Sequence, residues 1–242
     1  MTNTNWDVKT VMSELESLGS EQILKIYKNH GAKEPLFGVT TGAMKPLAKK
    51  IKRNHELAMK LYATGNYDAM YFAGMIANPK VMMKEDFESW MEGAYFHGLS
   101  DYVVAALLAE TEFAQEVASR WVHSEKEFYQ SAGWSCYALL MSIQSDSYFN
   151  QIKIKDLLKL VEQNIHTCQN RVRYAMNGFL IAVGISYLPL HEEALRIAKS
   201  IGKVEVYMGE TSCKTPLASS YIQKAIETGE IGYKRKKTHS SE

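Results

Sequence analysis

A chain of 242 residues, 46% apolar and 23% charged, is long enough and apolar enough to bury a sizeable core. Its three cysteines, Cys136, Cys168 and Cys213, are too few and too scattered for a disulfide framework and point to a reducing cytoplasm. The opening "MTNTNWDVKT" has no apolar signal core and no apolar run approaches about 18 residues, so neither secretion nor a membrane span is expected.

In chain order, "WDVKTVMSELESLG" places Val8, Val11, Met12, Leu15 and Leu18 on one helical stripe that ends at Gly19. "SEQILKIYKNHG" opens on Ser20 as an N-cap and stops at Gly31. The loop "AKEPLFGVTTG" leads into "AMKPLAKKIKRN", and "HELAMKLYATG" follows. Further helices are predicted over about 66–77, 84–97, 100–110, 112–122, 124–143, 153–166, 170–187 and 189–201. The alternation of Val204, Val206 and Met208 with Glu205 and Tyr207 predicts an extended segment or hairpin over 203–216, before a last helix in "SSYIQKAIETGE". From about residue 66 onward the pattern is helix, short loop, helix, without a strict consensus. Degenerate HEAT-like pairs of roughly 40 residues fit it best. The expected fold is all-α, a HEAT-like helical-repeat α-solenoid with a concave surface. No linker marks a second domain, so one domain over 1–233 and a basic disordered tail over 234–242 are expected.

Catalytic motifs come close and fail. "HEEAL" has Leu195 where a zinc-protease helix needs its second histidine. "GWSCY" lacks the closing glycine of a nucleophile elbow, and "GETSCKT" is short of a phosphate loop. No CxxC occurs, and no histidine lies one helical turn from another histidine or a cysteine, so no metal and no cofactor are expected. Trp90, Trp121, Trp134, Tyr129 and Tyr137 sit at helical spacing and are expected in the core, with stacking on bases as the alternative.

The positive signal is charge. The net value of +1 conceals nine Lys/Arg against two acids from Lys25 to Lys60, ten acids against three bases over 84–127, and nine bases against five acids over 196–242. Such a chain can turn a basic face to a polyanion. Lys45, Lys49, Lys52 and Arg53 fall at i, i+4, i+7 and i+8, one face if the helix is continuous, with Leu47 and Ile51 on another. Cations spaced by a helical turn can follow phosphates. Thr40 and Thr41 stand at the helix start, where free N–H groups favour an anion. Arg171, Arg173, Lys214 and the run Lys234–Lys237 are further candidate contacts. A solvated amphipathic helix is the plain alternative.

"LFGVTTGAMKPLAKKIKR", "NYDAMYFAGMIA" and "HGLSDYVVAALLAE" resemble the bacterial alkylpurine DNA glycosylases built from HEAT-like repeats, the AlkD type, over about residues 20 to 200. Gly42 stands where that family usually has a proline. The resemblance implies a groove in which Trp and Asp side chains hold a cationic purine, with a Trp-Asp-x-x-Asp helix whose second aspartate stabilises developing oxocarbenium charge. Here Ser100 stands at the tryptophan, Asp101 at the first aspartate and Val104 at the second; Ser131 stands at a later arginine and Gly178 at a later tryptophan. The resemblance therefore implies the fold without the catalytic set, leaving Asp101 as the fallback catalytic candidate. Its expected role is an N-terminal cap or first-turn acid, worth roughly 0.5–2 kcal/mol. The expected function is binding of duplex or branched DNA by a monomer, through shape and phosphates. A glycosylase of narrow lesion range and a protein scaffold are the rivals.

Overall fold

The computed structural model describes residues 6–236, which are helices and connecting segments with no strand among them. The chain forms two compact units, one running up to Leu99 with Met208–Ser212 added, the other comprising Ser100–Tyr207 and the residues from Cys213 on.

The first unit holds α1 (Val8–Leu18), α2 (Glu21–Asn29), α3 (Thr41–Ile51), α4 (His55–Tyr62), α5 (Tyr67–Ile76), α6 (Lys84–Gly93) and the single turn α7 (His97–Leu99). Side-chain caps start four of these helices: Asp7, Thr40, Asn54 and Asn66 each accept the N–H three residues on. Apolar residues at helical spacing (Val11 and Leu15 on α1, Met44, Leu47 and Ile51 on α3) are all buried. Tyr62 stacks on Trp90 at 3.9 Å between ring centroids.

The second unit opens with a π-helical turn, Ser100–Val104, and continues through α8 (Ala105–Leu108), α9 (Ala114–Trp121), α10 (Glu127–Ile143), α11 (Gln151–Asn164), α12 (Asn170–Ser186), α13 (His191–Ile201) and α14 (Ala218–Thr228). Neighbours in sequence pack as pairs, α9 with α10 and α12 with α13, while α10 packs on α12 and α12 on α14. That is the logic of HEAT-like repeats, each pair burying what it cannot cover alone. Trp121, Trp134, Tyr129 and Tyr137 are core here and Trp90 is core in the first unit, which removes all five from any base-stacking surface.

Of the two forms expected over 203–216, an extended segment or a hairpin, the hairpin does not form. The segment is extended, yet no strand pairs with it. The Asn170 side chain takes the place of a neighbouring strand, accepting from Tyr207 N–H at 2.7 Å and donating to its carbonyl at 2.8 Å. The tip of the segment belongs to the first unit: Glu210 N–H donates to the Asn29 carbonyl at 2.9 Å. Gly209 sits at φ +76° so close to that carbonyl that no Cβ fits. Of the expected tail, Lys234 Nζ donates to the Met141 carbonyl and pairs with Asp146, each at 2.9 Å. Arg235 N–H donates to the Ser142 carbonyl at 2.7 Å. Residues 237–242, the rest of that tail, lie outside the described residues.

Candidate nucleic-acid interface

The loop that leads into the basic helix α3 is held by a carboxylate. Asp68, in the first turn of α5 and fully buried, accepts the backbone N–H groups of Phe37 at 2.5 Å, Gly38 at 3.1 Å and Val39 at 2.8 Å. Gly38 has φ +78°, and a Cβ there would lie 2.5 Å from Leu24 N, so the loop closes this way only around glycine. Burial pushes the Asp68 carboxyl above its ordinary range, against the pull of the three N–H groups. Tyr27 OH donates to the Val39 carbonyl at 2.9 Å, and Thr40 Oγ1 then accepts Ala43 N–H at 3.2 Å to start α3.

Lys45, Lys49 and Lys50 project from α3 into solvent, and among the described residues no carboxylate pairs with any of them. Lys45 and Lys49, four residues apart, share a face. The four-residue face expected from the spacing is nonetheless interrupted. The helix ends at Ile51, and Lys52 turns the chain with φ +62°, so Lys52 and Arg53 lie beyond the helix. Arg53 Nη1 donates to the Ala77 carbonyl at the C-terminal end of α5, 2.6 Å away. Its guanidinium thus serves a helix C-terminus, where a cation is favourable.

In the second unit Ser100, Asp101, Val104 and Ser131, four of the positions implied by the resemblance, are buried. Val104 is fully buried. Asp101 is not an N-cap or a first-turn acid, because helix already precedes it and it lies within the π-helical turn. It is 4% exposed, and its Oδ1 accepts from Ser131 Oγ in a short hydrogen bond and from Ser100 Oγ at 2.8 Å. Arg171 Nη2 stands 3.9 Å from its Oδ2. Burial pushes the Asp101 carboxyl up, opposed by Arg171 and the two serine hydroxyls. Ser100 and Ser131, two of the positions at which the resemblance sets functional residues, thus bind the fallback carboxylate itself.

Arg171 is buried beside Asp101, its guanidinium carbon 4.6 Å from the Tyr174 ring centroid and its backbone N–H donating to Glu127 Oε1 at 2.7 Å. Arg173 is half-buried and bonds the carbonyls of Cys168 at 2.8 Å and Glu205 at 3.4 Å. Lys214 is exposed on the extended segment, and Gly178 borders a cavity. Neither α10 nor α12 beyond its first turn carries a lysine or arginine. Sequence reasoning missed Asp68, whose only local signal is an acid in the first turn of a helix. It also missed Glu127, which caps the start of α12.

The model of the DNA alkylation repair enzyme family matches residues 11–221. Uncharacterised proteins of Listeria innocua and Listeria monocytogenes are each 35% identical over 219 residues, covering 88% of this chain and 94% of their own. A solved structure described as belonging to a new family of proteins related to the HEAT-like repeat DNA glycosylases, with affinity for branched DNA structures, is 55% identical. It superposes with a TM-score of 0.89, covering 96% of this chain and 98% of that one. The chain belongs to the DNA alkylation repair enzyme family and has its HEAT-like, all-helical fold.

Proposed function

We propose that this protein binds DNA by shape and backbone, preferring branched forms, and does not excise bases. The observation that carries the reading is the enclosed Asp101. A hydrolytic glycosylase of this type needs negative charge at the sugar as the base leaves. Here the position implied for it is a buried valine, and the neighbouring carboxylate is occupied by two hydroxyls and a guanidinium. The likeness, at 55% identity, to a protein with affinity for branched DNA supports the choice of ligand.

Affinity then falls to exposed cations. Lys45 and Lys49 are assigned to phosphates, with Lys52 at the helix end and Lys214 as lesser contacts. Arg53, Arg171 and Arg173 hold the protein together, since each bonds backbone or a buried acid. Contacts of this kind position a duplex without reading its bases.

The test is an electrophoretic titration at two salt concentrations against single-stranded, duplex, four-way-junction and methylated duplex DNA, each product then heated in alkali. Tightest retention of the junction with no strand breaks is the expected result. Breaks confined to the methylated duplex and lost in Asp101→Asn would return Asp101 to a catalytic role. No retention of any DNA, with a stable co-purifying protein instead, would favour a scaffold.

A further inference from the structure

A shallow groove of about 420 Å³ lies in the second unit between α13 and α14, lined by Lys199, Ser219, Ser220, Gln223, Lys224 and Glu227. Every lining side chain is polar or charged. On α14 this follows from the spacing: Ala218, Ile222 and Ala225 are buried, while Ser220, Gln223, Lys224 and Glu227 fall on another face and are exposed. Lys199 comes from the last turn of α13 and is exposed too.

The two lysines differ from the bases around them. Arg196, three residues before Lys199, pairs with Glu162 at 2.9 Å and with Glu193 at 3.0 Å. Lys203, four residues after it, pairs with Glu205 at 2.5 Å. Lys199 and Lys224 have no carboxylate partner among the described residues, and the Ser219 and Ser220 hydroxyls bond to nothing there. Glu227, the acid of the groove, stands three residues after Lys224 without pairing to it, and its Oε1 accepts from Gln223 Nε2 at 3.5 Å.

Resting on the DNA reading above, we infer that this groove holds a backbone phosphate of the bound DNA at its serine end. A phosphate presents acceptor oxygens on several sides. The groove offers donors from two helices, the ammonium groups of Lys199 and Lys224 and the hydroxyls of Ser219 and Ser220. None of these donors has a protein partner to leave, so binding breaks no bond within the chain. Glu227 is seven residues from Ser220, about 10 Å along the helix at ~1.5 Å per residue, so a phosphate at the serine end stands away from its charge. A base edge carries no negative charge for the ammonium groups to meet, and an apolar group could use neither. The groove thereby supplies the second unit with a phosphate contact that α10, with no lysine or arginine, cannot make.

The test is titration of a four-way junction with the full chain over a range of salt. Lys199→Ala with Lys224→Ala should weaken binding about fivefold and make the slope of log affinity against log salt shallower by about 1, at ~0.9 per phosphate. Lys153→Ala with Lys155→Ala removes the same charge from exposed positions of α11 in the same unit. That control should change affinity less than about twofold and leave the slope as it was. Ser220→Asp, which places a carboxylate in the groove, should also weaken junction binding about fivefold. An acid in the first turn of a helix is favourable, so this variant keeps its urea midpoint and its weaker binding is not a loss of fold. Equal effects from the two lysine pairs, or unchanged affinity in Ser220→Asp, would overturn the groove as a phosphate site and leave DNA binding through α3 standing. Failure of the unmodified protein to bind the junction would overturn the DNA reading and the groove together.

Discussion

The region around α3 and the region around the π-helical turn treat ionisable groups in opposite ways. At α3 the acid, Asp68, is underneath and fully buried, while the lysines stand in solvent. At Ser100–Val104 both the acid and the base, Asp101 and Arg171, are inside, and the adjoining faces of α10 and α12 carry almost no charge. An exposed cation keeps its hydration until a phosphate replaces it, so α3 remains available to a ligand. A buried pair has already exchanged water for its partners and has little left to offer one. The family's chemistry would lie in the second region, and the charge suited to DNA lies in the first. Under the proposed function, phosphate binding draws on the first region and excision would have to draw on the second.

The largest effect should come from the acid beneath α3. Asp68→Ala leaves three backbone N–H groups without their acceptor, at about 1–3 kcal/mol each, so a loss of about 3 kcal/mol or more is expected in urea unfolding. A change below about 1 kcal/mol would mean that water replaces the carboxylate and that the loop is not held from below. Next comes the exposed side of the comparison. Lys45→Ala with Lys49→Ala should weaken junction binding roughly tenfold or more and make the slope of log affinity against log salt shallower by about 2, at ~0.9 per phosphate contact. Arg53→Ala should leave that slope unchanged and cost stability instead, because its guanidinium bonds the Ala77 carbonyl. A slope unchanged in the double lysine variant would remove α3 from the interface.

The helices were legible because their signals are local: apolar spacing, Asn and Thr caps, and glycine stops. The failures share a cause, which is bonding to something distant in sequence or an unsignalled turn. Asp68 binds residues 29–31 positions away, so nothing beside it marks its role. Lys52 and Arg53 fit the lysine spacing until Lys52 adopts φ +62°, a conformation no residue near it demands; Asn54, the cap of α4, was the available hint. The alternation over 203–208 has the period of a strand, but Asn170 satisfies Tyr207 in place of a neighbouring strand. Asp101 looked like a cap because Ser100 and Asp101 follow a glycine. The helix starts earlier, at His97, and winds into a π-turn that delivers the carboxylate to Ser131.

The smallest expected effect probes whether the second region is as closed as its geometry implies. Burial raises the Asp101 carboxyl above its ordinary 3.8, Arg171 and the serines opposing it, so the folded chain holds that proton more tightly than the unfolded chain does. Stability contributed by this group is therefore full below about pH 4 and declines as pH rises toward the folded value. Asp101→Asn removes the titration while keeping an oxygen for the two serine hydroxyls. Between about pH 4 and pH 7 the variant should lose less stability than the unmodified protein, read as the difference in urea midpoints of the two proteins at each pH. Titrating groups that do not interact with Asp101 are common to both and cancel. The opposite sign, with the unmodified protein gaining on the variant as pH rises, would mean that Arg171 holds Asp101 as an anion. The second region would then keep a standing negative charge where the family's chemistry requires one, and the contrast with α3 would narrow to the direction each charge faces.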